Sequence, residues 1–318
     1  MINYKNVEVS DKEWVDPLLA AANVRGCHYS FTNLFAWTGI YKYRIAQVEE
    51  YLVVKAVGLD GAHCYFYPAG QGDPQPVIEA MIEDAGNWGS GLQFVGLSSE
   101  NMAELDRLFP DQFEYAERRD SFDYVYLLDK LVTLSGKELR AKRNHINIFK
   151  RNHDWSFEPI SSANLAECWE MNVEWCKIHG CKYDVQLDNE RCAVRRCFDY
   201  FEELGLEGGL LRAEGRVIAY TMGDQLNADT FDVHIEKAFE DIQGAYQMIN
   251  QQFALLIQQN HPALIYVNRE EDMGQEGLRK AKLSYHPVRL EEKYWGRLVG
   301  SQALTNRDAG IRLCAGGL

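Results

Sequence analysis

Behind the apolar run Ala263-Leu264-Ile265-Tyr266-Val267 the chain reads NREEDMGQEGLRKAKLSYHP, from Asn268 to Pro287. A strand that ends on Asn268, Arg269, Glu270, Glu271 and Asp272 presents carboxylates at its carboxyl end, the usual ligand crevice of an α/β sheet. Gly274 and Gly277 permit tight turns, and Arg279, Lys280 and Lys282 return opposite charge. Acids first and bases last also suit a self-neutralising cluster at a helix start. That plainer reading leaves Asn268 and Ser284-Tyr285-His286-Pro287 unexplained.

Two further segments carry chemistry. VHIEKAFEDIQGAYQMINQQF, from Val233 to Phe253, ends a strand in His234 and Glu236 and enters a helix through Gly244. Free N–H groups at such a helix start suit an anion. Acyl-CoA acetyltransferases use a Gln/Arg-x-x-Gly-x-Gly/Ala loop at this place. Here Asp241-Ile242-Gln243-Gly244-Ala245-Tyr246 carries one glycine, and an acid where a pyrophosphate would lie, so Gly244 also reads as a simple turn residue. LSGKELRAKRNHINIFKRNH, from Leu134 to His153, is locally basic. As a helix it sets Arg140, Asn144, Asn147 and Arg151 in one stripe, joined by Lys142 and Arg143, with Leu139, Ile146 and Phe149 pointing elsewhere. Ser135, three residues before Glu138, is its expected cap. The stripe suits phosphate contacts, and a solvated linker helix is the alternative.

These residues need elements to hold them. Residues 43–58 and 63–70 read as strands, Val77 to Ala85 follows helical spacing, 92–97 returns to strand, and Ser98 caps a short helix. Phe122 opens a further strand. Residues 209–226 read as two strands turning at Glu214-Gly215, and 229–238 as a third. A helix then runs from Gly244 through Asn260, before the strand 263–267 and a short helix from about Gln275. Strand, helix, strand, loop and short helix thus occur near 63–109 and again near 229–283, which suggests a duplicated domain. The expected division is an N-terminal domain over 1–133, a basic connecting helix over 134–153, a C-terminal domain over 154–299 and a peripheral tail over 300–318.

Composition bounds the function. The chain has 318 residues, 46% hydrophobic and 25% charged, which suits two folded domains. Its net charge of −14 opposes general adhesion to nucleic acid or anionic lipid, so such contact needs a local patch. No apolar run is long enough for a membrane span, and the N-terminus lacks a signal-peptide layout, so a cytoplasmic location is expected. The eight cysteines include no CxxC. Cys176, His179, Cys181, Cys192 and Cys197 are therefore expected to be ordinary thiols, with no metal.

FTNLFAW (Phe31 to Trp37), the basic segment, VHIEKA, GAYQMIN and above all NREEDMGQEGLRKAKLSYHP resemble the bacterial family named for the C-terminal domain of phosphatidylglycerol lysyltransferase. The resemblance spans roughly residues 20 to 295 and implies an α/β (α+β) fold of two tandem N-acetyltransferase-like (GNAT) domains, each a mixed sheet flanked by helices. The first would be degenerate and structural, and the second would carry the active crevice. In the lysyltransferases, and in the similar Fem-type transferases, that crevice passes an aminoacyl group from aminoacyl-tRNA to a nucleophile. The resemblance implies Glu270 and Asp272 as amine holder or base, Arg279 and Lys282 facing phosphate or oxyanion, and Tyr285 and Asn268 as hydrogen-bond donors. His234, Glu236, Gly244, Tyr246 and Asn250 would bind substrate. The expected activity is aminoacyl transfer to a small-molecule or lipid-headgroup acceptor, with tRNA on the 137–151 patch and no cofactor required. An acyl-CoA-dependent N-acyltransferase and a non-catalytic binding protein of the same fold are the alternatives.

Overall fold

The computed structural model describes residues 1–58, 61–89 and 91–299. The expected tail over 300–318 lies outside the described residues. The chain forms two compact units, one of residues 1–123 together with 291–299 and the other of residues 124–290. The division therefore differs from the expected 133/134 boundary. The Asp123–Leu127 strand pairs in the second unit's sheet, and the Tyr294–Leu298 strand in the first's. Pairing partners decide membership here, and they lie far from either strand in sequence.

The first unit's sheet runs Lys5–Asn6, Arg44–Val48, Tyr51–Val57, His63–Tyr65, Gln93–Leu97, Tyr294–Leu298, Phe113–Glu117, with Ala69–Gly70 paired to Tyr51–Val57. The expected strand over 43–58 is a hairpin, because Glu49 takes a positive φ of 52° and turns the chain between Val48 and Tyr51. Tyr65 pairs parallel to Phe94, and the Gln75–Asn87 helix makes the crossover. Val77, Ile78, Met81 and Ala85 on that helix are buried against Val53, Tyr65, Phe94 and Leu105. Ser98 caps the Ser99–Leu108 helix, accepting from the Asn101 amide while the Asn101 side chain accepts from the Ser98 amide. Two helices that the residue pattern left unassigned, Lys12–Ala22 and Phe31–Tyr41, belong to this unit.

The second unit repeats the strand–helix–parallel-strand plan. Its sheet runs Arg289–Glu291, Asp123–Leu127, Tyr266–Asn268, Thr230–Ala238, Arg216–Gln225, Glu207–Ala213, Trp155–Pro159. The expected turn at Glu214-Gly215 is present, with φ of 49° and 78°, the paired positive values of a tight hairpin. Thr230, Phe231 and Asp232 pair parallel to Tyr266, Val267 and Asn268, and the Ala245–Asn260 helix makes the crossover. That pairing stops at Asp232↔Asn268, while the longer strand runs on to Ala238. The crevice opens where the two strands part.

Two glycines fix this geometry. The register between Arg216–Gln225 and Thr230–Ala238 skips His234, and a Cβ on Gly223 would come within 1.9 Å of the Asp232 carbonyl oxygen. Gly244, at φ 92°, ends the loop before the crossover helix, and a Cβ there would meet the His145 carbonyl oxygen at 2.5 Å. His145 lies on the basic helix, which spans Arg140–Asn152 and buries Ile146 and Phe149. This helix is a packed wall of the second unit rather than a connector. It also starts later than expected: Leu139, not Ser135, is its N-cap. Leu134 and Gly136 have positive φ, and the Arg143 guanidinium donates to both of their carbonyls.

Gly244→Ala is expected to destabilise the protein by about 2 kcal/mol through backbone strain and the clash with His145. Gly215→Ala, whose Cβ would meet nothing within 4 Å, should lose only about 1 kcal/mol. Equal urea midpoints for the two variants would contradict the tight packing at Gly244.

Candidate functional site in the second unit

The acidic loop is held from below. Lys282 comes from the Glu276–Leu283 helix and is 2% exposed. Its ammonium donates to the carbonyl oxygens of Arg269 at 2.5 Å, Glu271 at 2.6 Å and Glu270 at 3.1 Å. Glu270 sits at φ 55°, so successive carbonyls turn to one point, and the ammonium meets them there. Asn268 Oδ1 accepts from the Glu270 amide at 2.8 Å, closing the turn from the other side. Asp272 takes a two-pronged ion pair from Arg279, Nε to Oδ2 at 2.8 Å and Nη2 to Oδ1 at 2.9 Å, and accepts from the Tyr124 hydroxyl and the Gly274 amide. Burial alone would raise its carboxyl; the Arg279 and Tyr124 hydrogen bonds outweigh that and hold it below the ordinary carboxylate range. Tyr126, two residues on from Tyr124, donates to the Lys282 carbonyl at 2.8 Å. Asp272, Arg279 and Lys282 thus spend their charges on shaping the loop.

Glu270 leads to a second cluster. Its Oε1 lies 2.9 Å from His234 Nδ1, and Asp224 Oδ1 lies 3.0 Å from His234 Nε2, with Asp232 at 3.7 Å. Glu270 and Asp232 are fully buried and His234 nearly so. Desolvation disfavours the imidazolium, but the Asp224, Asp232 and Glu270 carboxylates prevail and hold the histidine well above its ordinary pKa. Asp232, His234 and Glu270 also have the ligand spacing of a metal set. Both ring nitrogens, however, already face carboxylates at hydrogen-bonding distance. A cation could enter only if the ring gave up its proton, and the arrangement is that of a buried imidazolium between acids. The cysteine-rich segment forms no metal set among the described residues. Cys176 and Cys181 have adjacent sulfurs, Cys192 is exposed, and burial pushes the Cys197 thiol up to about 12.

The crevice itself is a cavity of about 640 Å³, lined among others by Glu236, Gly244, Tyr246, Arg269, Tyr285 and Lys142. Glu236 Oε1 accepts from Arg269 Nη2 at 2.8 Å, and Oε2 accepts from Asn250 Nδ2 at 3.0 Å. Arg269 packs near the Tyr126 and Tyr285 rings, at 5.7 and 5.0 Å from their centroids. Its Nη1 is buried and meets no hydrogen-bond acceptor among the described residues. Lys142 donates to Ser284 Oγ at 2.6 Å and lies over the Tyr285 ring at 4.1 Å. Burial first, and Arg269 second, push its amine down to about 8. The wall therefore combines a guanidinium with one nitrogen unpartnered among the described residues, a fixed carboxylate and an amine with a lowered pKa.

Of the sequence-predicted residues, Glu236, Gly244, Tyr246, Tyr285 and Lys282 line the cavity, and Asn250 steadies Glu236. Lys142 turns towards this cavity and Arg143 towards loop carbonyls. Arg140, Asn144, Asn147 and Arg151 stay exposed as a stripe. Arg269, Asp224, Asp232 and the two anchoring tyrosines carry functional or framing contacts that residue spacing did not single out. Arg269 stood in the quoted loop, but only the parting of the two strands shows that it faces the cavity.

The family model described as "Phosphatidylglycerol lysyltransferase, C-terminal" matches residues 20–296. The chain belongs to this family. A crystal structure of a conserved protein of unknown function from Bacteroides thetaiotaomicron VPI-5482 is 40% identical, with a TM-score of 0.89 over 94% of this chain and 100% of that one. The structure of L-PGS from Bacillus licheniformis has a TM-score of 0.65 at 17% identity, over 95% and 98% of the two chains, and shows the shared fold. An uncharacterized protein of Mycoplasmoides gallisepticum, MYCGA3080, is 26% identical over 225 residues, 70% of each chain. The architecture is that of two tandem GNAT-like domains, mixed α+β in each. No helix among the described residues is long and apolar enough to cross a membrane.

The imidazolium makes a pH prediction. With a folded pKa raised above the unfolded value, His234 contributes stability that is fully present below about pH 6.5 and is lost as pH rises through the folded pKa. Stability of the wild type should fall from pH 6.5 upward with a slope that His234→Gln lacks. Parallel pH–stability curves for the two proteins would show that the ring is neutral in the fold.

Proposed function

We propose that the protein is an aminoacyltransferase that takes an aminoacyl group from aminoacyl-tRNA into the second unit's crevice and passes it to an amine or hydroxyl acceptor. Family membership supports an acyltransferase of this kind. The single observation that carries the finer reading is the Arg269 guanidinium, which lines the cavity beside Glu236 and keeps one nitrogen, Nη1, without an acceptor among the described residues. A desolvated donor left open in a folded protein costs about 1–3 kcal/mol, and an ester carbonyl oxygen that gains negative charge during attack would satisfy it.

In this reading the acceptor attacks the ester carbonyl carbon. The new bond forms there, the bond to the ribose oxygen breaks, and the acceptor's proton passes to that departing oxygen. Lys142, with its amine near neutrality, takes and returns the proton. Glu236, held by Asn250, sets the guanidinium plane. Glu270, Asp272, Arg279 and Lys282 act by fixing the loop from which Arg269 projects, and the exposed stripe Arg140, Asn144, Asn147 and Arg151 contacts the tRNA backbone. Asp241 on the Gly244 loop favours this donor over acyl-CoA, whose pyrophosphate it would repel.

The test is release of amino acid from a total charged tRNA pool in the presence of candidate amine and hydroxyl acceptors. Arg269→Met should lower the rate by about 10²–10³-fold. Arg140→Ala/Arg151→Ala should leave turnover at saturation intact but weaken tRNA binding and reduce the salt slope, log K against log salt, by about 1.5. Acetyl-CoA that stabilises the protein against heat, with charged tRNA inert, would transfer the site to the acyl-CoA-dependent reading.

A further inference from the structure

The Leu165–Ile178 helix of the second unit ends against the strand that borders the crevice. Trp175, in its last turn, is buried; its indole N–H donates to the Ala238 carbonyl at 3.1 Å, and the Lys237 ammonium lies 3.7 Å from the centroid of its ring. The same indole is a hydrogen-bonding neighbour of the Tyr246 oxygen, and Tyr246 lines the cavity. Whatever fixes the end of this helix therefore bears on one edge of the crevice.

Cys176 is the next residue. His179, the helix C-cap, folds back on the last turn: its ring stacks on Trp175 with centroids 3.8 Å apart, and its Nδ1 lies 2.9 Å from the Trp175 carbonyl oxygen. Gly180 takes a φ of 66°, which turns the chain out of the helix and into the short helical turn Cys181–Tyr183. Had the helix continued, residues five apart would point about 140° away from each other. With the turn in place, the Cys181 sulfur comes within 2.7 Å of the Cys176 sulfur. A disulfide bond is ~2.05 Å long, so the pair has to close by only roughly 0.7 Å to bond.

The surroundings give the two thiols different parts. Cys176 is half-buried, whereas Cys181 is 1% exposed. Lys177, Ile178, Lys182 and Tyr183 beside them are exposed. An oxidant therefore meets Cys176 first, and Cys181 stands behind it as the resolving thiol. Burial, ahead of the contact with Cys181, pushes the Cys176 thiol up to about 12, which makes closure slow and keeps the pair reduced through brief exposure.

We propose that Cys176 and Cys181 are a modification site, a dithiol that hydrogen peroxide closes to an intramolecular disulfide, clamping the turn that holds Trp175 beside the crevice. The Cys176 sulfur attacks one peroxide oxygen, the O–O bond breaks, and a sulfenic acid and one water result. The Cys181 sulfur then attacks the Cys176 sulfur, the S–O bond breaks, and the leaving hydroxide takes the remaining thiol proton as a second water. Two thiols and one peroxide give one disulfide and two waters. The site stands independently of the reaction assigned to the crevice.

The experiment is treatment of the folded full chain with excess hydrogen peroxide, blocking of the remaining thiols with iodoacetamide, and tryptic mass mapping with and without reductant. Trypsin cuts after Lys177 and Lys182, both exposed, and so places the two cysteines in different peptides. The expected product joins the peptide ending at Lys177 to the peptide 178–182, at a mass two hydrogens below their sum, and reductant parts them. Exposed Cys192 reports that the oxidant has acted. The bridged protein should melt a few degrees higher, a gain that reductant reverses and that Cys176→Ser and Cys181→Ser both lack. Linkage through Cys192, a 176–181 pair left unbridged once Cys192 is fully oxidised, or a bridged protein with an unchanged Tm would overturn the proposal.

Discussion

Everything at the second unit's crevice depends on one buried ammonium. Lys282 meets three consecutive carbonyls, those of Arg269, Glu270 and Glu271. Burying a cation without hydrogen bonds would be prohibitive, and three carbonyl dipoles aimed at one point provide the compensation. The same contact forces the loop to turn through a left-handed Glu270, and that turn sends Arg269 to the crevice and Glu270 to His234. One lysine thereby separates two neighbouring residues into two different clusters.

The two clusters differ in what they leave open. Around His234 both ring nitrogens meet carboxylates, and the result is a buried ionic cluster near the bulge where Gly223 admits the Asp232 carbonyl. Around Arg269 the hydrogen bonding is incomplete, since Glu236 takes one nitrogen and the other meets no acceptor among the described residues. Folding energy explains the first cluster. The second is the cluster that the proposed function assigns to a substrate.

The sequence announced the strands and helices that carry these residues where periodicity and caps were strong. The Ala245–Asn260 helix, the hairpin turning at Glu214-Gly215 and the capping box at Ser98 all follow from local chemistry. Local chemistry could not place Asp123–Leu127 in the second sheet or Tyr294–Leu298 in the first, because a strand's own residues do not name its partner. The same limit concealed Tyr124 and Tyr126. They read as ordinary apolar strand residues until pairing brought one hydroxyl to Asp272 and the other to the Lys282 carbonyl.

Charge was legible as composition but not as role. The run of acids and bases from Arg269 to Lys282 marked the right loop, yet Asp272, Arg279 and Lys282 look equally reactive in sequence. Only burial and partners distinguish a charge that is consumed in holding the backbone from one that remains for a substrate. The basic helix shows the same division: Arg143 closes a turn, Lys142 faces the cavity, and Arg140, Asn144, Asn147 and Arg151 stay in solvent. Position around the helix, at about 100° per residue, decides which. A catalytic reading of this family member therefore has to start from the groups whose hydrogen-bonding capacity the fold leaves unspent, and in the second unit that criterion leads to Arg269 before any of the carboxylates.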